Sequence, residues 1–191
     1  MTPWRSPLAR ALHLNRRKPY SRYFQLATVQ TDGKPANRTV VFRGFLDDSD
    51  RLKMITDARS AKIHQIQQQA WGEICWYFTE TREQFRIAGT LLLVSNTHPD
   101  PQLQKHRQLT WQDLSDNARI QFAWPHPKQE RSNLEAFAPP PPNPNQPPAE
   151  FCLLLLDPVS VDRLELRGDP QNRTLYQYGE ATGWSETAVN P

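Results

Sequence analysis

The side chains best suited to chemistry are cations and hydroxyls in the first third of the chain. Arg38 and Arg43 lie in the strand-like run NRTVVFRG, and Ser60 and Lys62 open a helix-like run that follows Thr56. The arginine fork matches phosphate geometry, and free N–H groups at the start of a helix favour an anion. Each side chain alone is more often a solvated surface charge, but together they predict a phosphate clamp.

Strand alternation sorts these residues between two faces. Successive side chains of a strand point to opposite sides, so Arg38 shares a face with apolar residues while Thr39, Val41 and Arg43 share the other. An arginine on a core-facing side needs an anionic partner or access to solvent. In the later run EQFRIAG, Gln84 lies on the face opposite the large apolar residues.

Several common catalytic signatures are missing from the sequence. It contains no glycine-rich phosphate loop, no paired CxxC, no HExxH and no GxSxG. His64, His98, His106 and His126 lack the spacing of metal ligands. We therefore predict neither a metal site nor hydrolase chemistry, and the residues assign no catalytic group.

The charge of the chain is unevenly distributed. Residues 1–131 carry 20 Lys and Arg against 12 Asp and Glu, whereas residues 132–191 carry 3 against 8. This places an anion-binding site in the first two thirds of the chain. No apolar stretch approaches the roughly 18 residues of a membrane span, and the N-terminus is too charged for a signal peptide. Cys75 and Cys152 lie in apolar runs, so we predict buried reduced thiols and a cytoplasmic protein.

The residue pattern predicts one mainly β domain over residues 1–191, a closed or nearly closed barrel with short helices. The first three strands are expected to form a meander, and the run APPPPNPNQPP at 138–148 is expected to be an exposed loop. The predicted strands are 23–30, 37–46, 52–56, 72–79, 83–95, 150–156, 159–166 and 173–178. The predicted helices lie within 4–18, 60–69 and 101–123, with Ser60 as the N-cap of the second.

Three runs in this order resemble the core of a known family. LATVQTDGKPANRTVVFRG, MITDARSAKIHQI and TREQFRIAG are similar to the core of the pyridoxamine 5′-phosphate oxidase family, which binds flavin mononucleotide (FMN). The similarity is greatest to a branch that also has CWYF and WxxLSxxARxxFAWP, here at Trp111–Pro125. It covers residues 20–125 well and the C-terminal strands loosely. The resemblance implies an FMN-binding split β-barrel, and a homodimer with two FMN sites at the subunit interface.

The resemblance also implies roles for individual residues. Arg38, Ser60 and Lys62 would hold the FMN phosphate, and Thr56 would contact the ribityl phosphate region. Along the flavin edge it places the backbone of Thr39, Val40 and Val41. Arg43 would lie near the substrate side, in place of the lysine usual there. The ring would be contacted by two further side chains, Gln84 from the second subunit and Arg173 at the pyrimidine edge.

The sequence departs from the oxidases at three further positions. Ala61 stands where they carry the first cation of a basic pair. Asp169 and Gln171 stand near the positions of an arginine and a histidine that grip the phosphorylated substrate. Losing a cation and gaining an acid opposes a phosphorylated substrate. We therefore predict an FMN-dependent oxidoreductase that acts on an unidentified small molecule.

Two other interpretations remain open at this stage. Pyridoxamine or pyridoxine 5′-phosphate oxidation requires a shifted alignment of Asp169 and Gln171, or Arg86 or Arg119 as the substrate's phosphate grip. A non-catalytic flavin-binding or sensing module fits the same cofactor residues. The basic run at 16–18 carries no RNA-recognition signature, so we predict neither a nucleic-acid nor a membrane partner.

Overall fold

A computed structural model gives the fold, and it describes residues 2–191. Eight strands make up one antiparallel sheet that curls into a barrel. The strands are β1 (Tyr23–Val29), β2 (Pro35–Val41), β3 (Leu52–Asp57), β4 (Trp71–Phe78), β5 (Glu83–Val94), β6 (Phe151–Glu165), β7 (Asn172–Gly179) and β8 (Gly183–Val189). The helices are α1 (Arg5–Asn15), α2 (Ala61–Gln68), α3 (Pro101–Gln112) and α4 (Asp116–Arg119), with single 3₁₀ turns at Pro19–Arg22, Ile120–Ala123 and Leu134–Phe137.

Strand β6 closes the barrel because it pairs with three other strands. It runs beside β5 for nearly its whole length, beside β3 through its first half and beside β7 through its second half. The rest of the sheet follows the order β2-β1-β4-β5-β6-β7-β8. The predicted break of this strand into two at Asp157-Pro158 is therefore wrong.

The proline is tolerated in β6 because of where it lies. Pro158 falls between the residues that pair with β3 and those that pair with β7, so its missing N–H leaves no ladder bond unmade on that side. On the other side it faces Gly89, where the β5 register shifts. A Cβ at Gly89 would meet the backbone of Asp157, with the carbonyl carbon only 2.8 Å away, so the chains approach too closely for a side chain.

The expected three-strand meander is also wrong. β1 and β2 form a hairpin through a tight turn, in which Gly33 has a φ of 81°. After β2 the chain turns at Gly44, with a φ of 94°, and Lys53 exchanges backbone hydrogen bonds with Arg43 and Gly44. The ladder of β3 is then made with β6, which lies about a hundred residues later in the chain.

The barrel interior is filled by aromatic side chains. Trp76 is fully buried, with ring centroids 5.0 Å from Phe24, 4.9 Å from Phe42 and 5.1 Å from Phe78. Its indole N–H donates to the carbonyl of Ser21 at 2.9 Å. Because large buried side chains fill this part of the interior, we expect a binding site at the rim of the barrel.

Several smaller expectations can be compared with the structure. The helix predicted over 60–69 is α2, whereas the helical stretch predicted over 101–123 is divided into α3, α4 and a 3₁₀ turn. Strand β8 was not predicted, and β2 ends at Val41 rather than at residue 46. Both cysteines are unpaired thiols, but only Cys152 is buried, since Cys75 is half-buried on the outer face of β4.

The proline-rich run 138–148 contains neither helix nor strand. Its backbone is held against α3, where the Trp111 indole donates to the carbonyl of Asn143 at 2.9 Å and Arg107 donates to the carbonyl of Pro148 at 2.6 Å. Among residues 2–191, no helix is both long and apolar enough to cross a membrane.

Candidate functional site

A cavity of about 680 Å³ lies at the rim of the barrel. One wall is formed by β2, the end of β3 and the start of α2. The opposite wall is formed by the chain after α4, of which residues 124–132 are called the closing segment below. Seven of the ten predicted site residues line this cavity, namely Arg38, Thr39, Val40, Val41, Arg43, Thr56 and Lys62.

Arg38 is held rigidly by acceptors that carry no charge. Its Nη1 donates to the carbonyl of Leu26 at 3.0 Å and to the hydroxyl of Thr28 at 2.7 Å, and its Nη2 donates to the side-chain oxygen of Gln65 at 2.9 Å. Burial lowers the pKa of Arg38. The guanidinium is thus fixed in orientation while its positive charge is left without a counter-charge.

Lys62 rests on two hydroxyls at the start of α2. Its Nζ donates to Thr56 Oγ1 at 2.9 Å and to Ser60 Oγ at 3.0 Å, and these two oxygens are 3.3 Å apart. Burial lowers the pKa of Lys62, and the charge of Arg38 lowers it further. The environment therefore opposes the charged ammonium unless an anion is bound beside it.

Ser60 differs from its prediction in one respect. It occupies the N-cap position of α2 with extended backbone angles, but its side chain makes no capping hydrogen bond. The hydroxyl instead points to Thr56 and Lys62. The first turn of α2 therefore has no side-chain cap, which suits a site that receives an anion.

Two further donors at the cavity have no partner. Arg43 Nε and Trp124 Nε1 are buried and make no hydrogen bond within the part of the chain described, and both residues line the cavity. Burial and the charge of Arg22 lower the pKa of Arg43. Buried donors without acceptors are costly, so these two groups indicate a ligand that carries acceptor atoms.

The missing counter-charges set this cavity apart. Arg38, Arg43 and Lys62 have no carboxylate within ion-pair distance among residues 2–191. Several arginines elsewhere are neutralised by acids, among them Arg163 by Glu83 and Arg173 by Asp162. The buried Arg107, in contrast, is hydrogen-bonded to backbone carbonyls alone within the same described residues. Three uncompensated cations on one cavity indicate that its ligand is an anion.

Arg59 connects the two walls of the cavity. Its guanidinium forms an ion pair with Asp57 at 2.6 Å and donates to the carbonyls of Trp124 at 2.9 Å and Phe122 at 3.3 Å. No role was predicted for Arg59 from the sequence. The Asp-x-Arg spacing at a strand end was the available signal, but the two carbonyls that Arg59 contacts lie more than sixty residues later in the chain.

Gln84 and Arg173 do not line the cavity of their own chain. They lie on the outer face of the sheet, where Gln84 accepts from the thiol of Cys75 at 3.8 Å. Arg173 donates to both oxygens of Asp162, at 3.0 and 2.6 Å. Within one chain, these two predicted ring contacts are separate from the other eight residues.

Comparisons with known proteins identify the family of the chain. The FMN-binding domain profile of pyridoxamine 5′-phosphate oxidase matches residues 1–95. A protein of Arabidopsis thaliana, named pyridoxine/pyridoxamine 5′-phosphate oxidase 2, is 38% identical over 200 residues, which cover 100% of this chain and 98% of that relative. The chain belongs to the pyridoxamine 5′-phosphate oxidase-related, FMN-binding family. Its cofactor is FMN, as the resemblance implied.

Solved structures support the same assignment. A pyridoxamine 5′-phosphate oxidase-related, FMN-binding protein of Nostoc punctiforme is 58% identical and superimposes with a TM-score of 0.97, covering 100% of this chain and 99% of that one. PhzG of Burkholderia lata superimposes with a TM-score of 0.77 at 20% identity, covering 98% and 90% of the two chains, and shows the fold alone. The predicted split β-barrel is confirmed.

Lys62 generates a first prediction, which concerns the protein without flavin. Inorganic phosphate should raise the melting temperature of the wild type, contributing about 1.4 kcal/mol at tenfold its dissociation constant. Lys62→Met should abolish most of this gain. Without phosphate the variant should melt no lower than the wild type near neutral pH, because burial and the charge of Arg38 disfavour the positive charge of Lys62 in the wild type.

The control variant is Lys105→Met, which removes an exposed lysine of α3 outside the cavity. It should keep the full response to phosphate in the same thermal scans. Since the folded-state pKa of Lys62 lies below its ordinary value of 10.5, the penalty in the wild type should fade as the pH rises from that lowered pKa to 10.5. An equal response to phosphate in wild type and Lys62→Met would contradict the anion site.

Proposed function

We propose that the protein is a homodimeric FMN-dependent oxidoreductase acting on a small molecule, with the FMN phosphate held by Arg38, Ser60 and Lys62. The observation that carries this proposal is the set of uncompensated cations on one cavity, in a chain of an FMN-binding family. A phosphate monoester carries between one and two negative charges and three acceptor oxygens. It therefore matches both the charge and the donors of this wall.

The phosphate end of the site is organised before any ligand arrives. Three hydrogen bonds to neutral acceptors fix Arg38, so it loses little conformational freedom when an anion binds. Lys62 and the hydroxyls of Thr56 and Ser60 already lie within hydrogen-bond distance of one another. An anion in contact with Lys62 raises the pKa of that side chain toward its ordinary value and so stabilises the ammonium.

The exposed edge of β2 supports the proposed ring contacts. β2 is the first strand of the sheet and pairs only with β1, so within residues 2–191 its other edge has no strand beside Thr39, Val40 and Val41. Unpaired N–H and C=O groups along such an edge are available to a ligand. When bound there, FMN supplies a ring that accepts and releases a hydride or electrons. Arg43 lines the same cavity with an unsatisfied donor.

The outer face of the sheet supports the dimer. Gln84 and Arg173 lie on this face, away from the cavity of their own chain, so they reach a flavin ring only if a second copy covers it. Tyr23, Trp71 and Tyr77 are exposed on the same face, between 43% and 46%. Exposed aromatic side chains are typical of interfaces between subunits. We propose that each FMN is held between the cavity of one chain and this face of its partner.

Complementation tests the dimer directly. Gln84→Ala and Lys62→Met should each weaken FMN binding, and the homodimer should have twice the 22.2 kDa mass of one chain. In a co-expressed heterodimer of the two variants, the Gln84→Ala chain keeps an intact cavity. The Lys62→Met chain supplies an intact Gln84 to that cavity. Such heterodimers should regain one tight FMN site.

The readout is the number of FMN molecules retained per dimer after desalting, with Gln102→Ala on α3 as the matched control. Heterodimers that bind no better than the two homodimers would show that Gln84 acts within its own chain. A protein that sediments as a monomer with FMN bound would overturn the dimer as well.

A second candidate function is oxidation of pyridoxamine or pyridoxine 5′-phosphate. Its support is the name of the Arabidopsis thaliana relative, which matches the chain over its whole length. Against it stand Asp169 and Gln171 in the turn between β6 and β7. Asp169 is exposed and makes no ion pair within the residues described, so the turn offers a phosphorylated substrate an acid.

One experiment separates the candidates. Purified protein should retain about one FMN per chain, and a screen of donors, including NADH and NADPH, should find one that bleaches the flavin absorbance. Pyridoxamine 5′-phosphate with oxygen should release no hydrogen peroxide. Peroxide release specific to that substrate would establish the second candidate instead.

Two other outcomes are informative. Protein that stays colourless after incubation with FMN would overturn the proposal. Bound flavin that no donor reduces would indicate a non-catalytic flavin-binding module.

A further inference from the structure

The start of α2 brings a single cation to the cavity. Lys62 is preceded by Ala61, whose methyl group offers neither charge nor hydrogen bond. Arg38 is the other fixed cation beside it, and part of its guanidinium is already committed to Leu26, Thr28 and Gln65. These two cations match the charge of a phosphate monoester, but most of their N–H groups are already engaged, so its three acceptor oxygens can take a further donor.

The opposite wall of the cavity carries an excess of basic residues. The closing segment contributes Lys128 and Arg131 to the lining, together with one acid, Glu130. Arg59 holds the start of this segment in place through the carbonyls of Phe122 and Trp124, while Asp57 neutralises Arg59 itself. The segment is thus tethered to the strand end that carries Thr56.

Lys128 is distinguished from its neighbours by its backbone and by its electrostatic effect. Its φ of 67° lies in the left-handed region, which non-glycine residues seldom adopt and which is found more often at functional sites. Arg131, in contrast, stacks 4.6 Å above the ring of Phe137. After burial, the charges that shift the pKa of Lys62 are those of Arg38, Asp57 and Lys128, so the two lysines are close enough to affect each other.

We propose that Lys128 is the second lysine of the FMN phosphate site, delivered from the closing segment rather than from α2. The inference rests on the proposed function, since it concerns the same cavity. Lys62 and Lys128 then approach the phosphate from opposite walls, and Arg59 is the positioning residue that keeps the second wall in place. Before binding, the two lysines repel each other, and the phosphate removes that repulsion by lying between them.

The test compares FMN with riboflavin, which has the same ring but no phosphate. Lys128→Asn removes the charge and keeps a residue type that tolerates a positive φ. Its affinity for FMN should fall by about tenfold, or about 1.4 kcal/mol, while its affinity for riboflavin should not change. Lys128→Arg should restore FMN binding, and Lys105→Gln, an exposed lysine outside the cavity, should match the wild type.

Flavin fluorescence quenching on protein freed of flavin gives both affinities without any assay of activity. FMN binding by Lys128→Asn should also depend less steeply on salt, because one phosphate contact is gone. If the asparagine variant fails to fold, Lys128→Gly favours the same backbone conformation and takes its place.

The failures of the two proposals are distinguishable. A wild type that does not bind FMN overturns the proposed function, and this inference with it. A wild type that binds FMN while Lys128→Asn binds it equally well overturns the inference alone. Equal losses of FMN and riboflavin affinity also overturn it, since Lys128 then supports the shape of the closing segment rather than the phosphate.

Discussion

Repulsion between two fixed cations, Arg38 and Lys62, is the interaction on which the cavity depends. Strand β2 and the start of α2 hold them beside one another, and neither has a carboxylate partner within the described chain. Burial lowers the pKa of each group, and the charge of Arg38 lowers that of Lys62 further. The fold tolerates this arrangement because Arg38 and Lys62 are hydrogen-bonded to neutral oxygens, and it becomes favourable once an anion is present. Under the proposed function that anion is the FMN phosphate, so the binding free energy of FMN is linked to the stability of the folded chain.

The barrel supplies the geometry that keeps these charges together. β3 carries Thr56 to the rim, and its ladder with β6 fixes that strand end against the closure of the barrel. β2 lies at the edge of the sheet, where its backbone is open on one side. The solid aromatic interior beneath leaves the rim as the place where a ligand of this size is accommodated. Function is thus concentrated where the regular pairing of strands ends.

Local patterns in the sequence were sufficient to predict that these cations cluster, and insufficient elsewhere. Alternation along NRTVVFRG and the helix start at Ser60 predicted side chains that the structure brings to one cavity, because both signals are carried by a few neighbouring residues. The β3–β6 pairing was missed because it joins segments about a hundred residues apart. Pro158 was predicted to separate two strands because nothing in the neighbouring sequence shows that β6 changes its pairing partner from β3 to β7 at this point. Lys128, which the structure places on the cavity, was not predicted to lie there because WPHPKQERS has no periodicity. Gln84 and Arg173 came from family resemblance, and their proposed ring contacts depend on a second subunit.

The ratio of the dissociation constants for riboflavin and FMN tests the central claim most directly, because the two ligands differ only in the phosphate. Each hydrogen bond to a charged group contributes about 1.5–3 kcal/mol, so the wild type should bind FMN about 100-fold more tightly than riboflavin. In Lys62→Met this ratio should fall steeply through loss of FMN affinity alone. Equal affinities for the two ligands in the wild type would contradict the account, since the cations at the rim would then have no part in holding the cofactor.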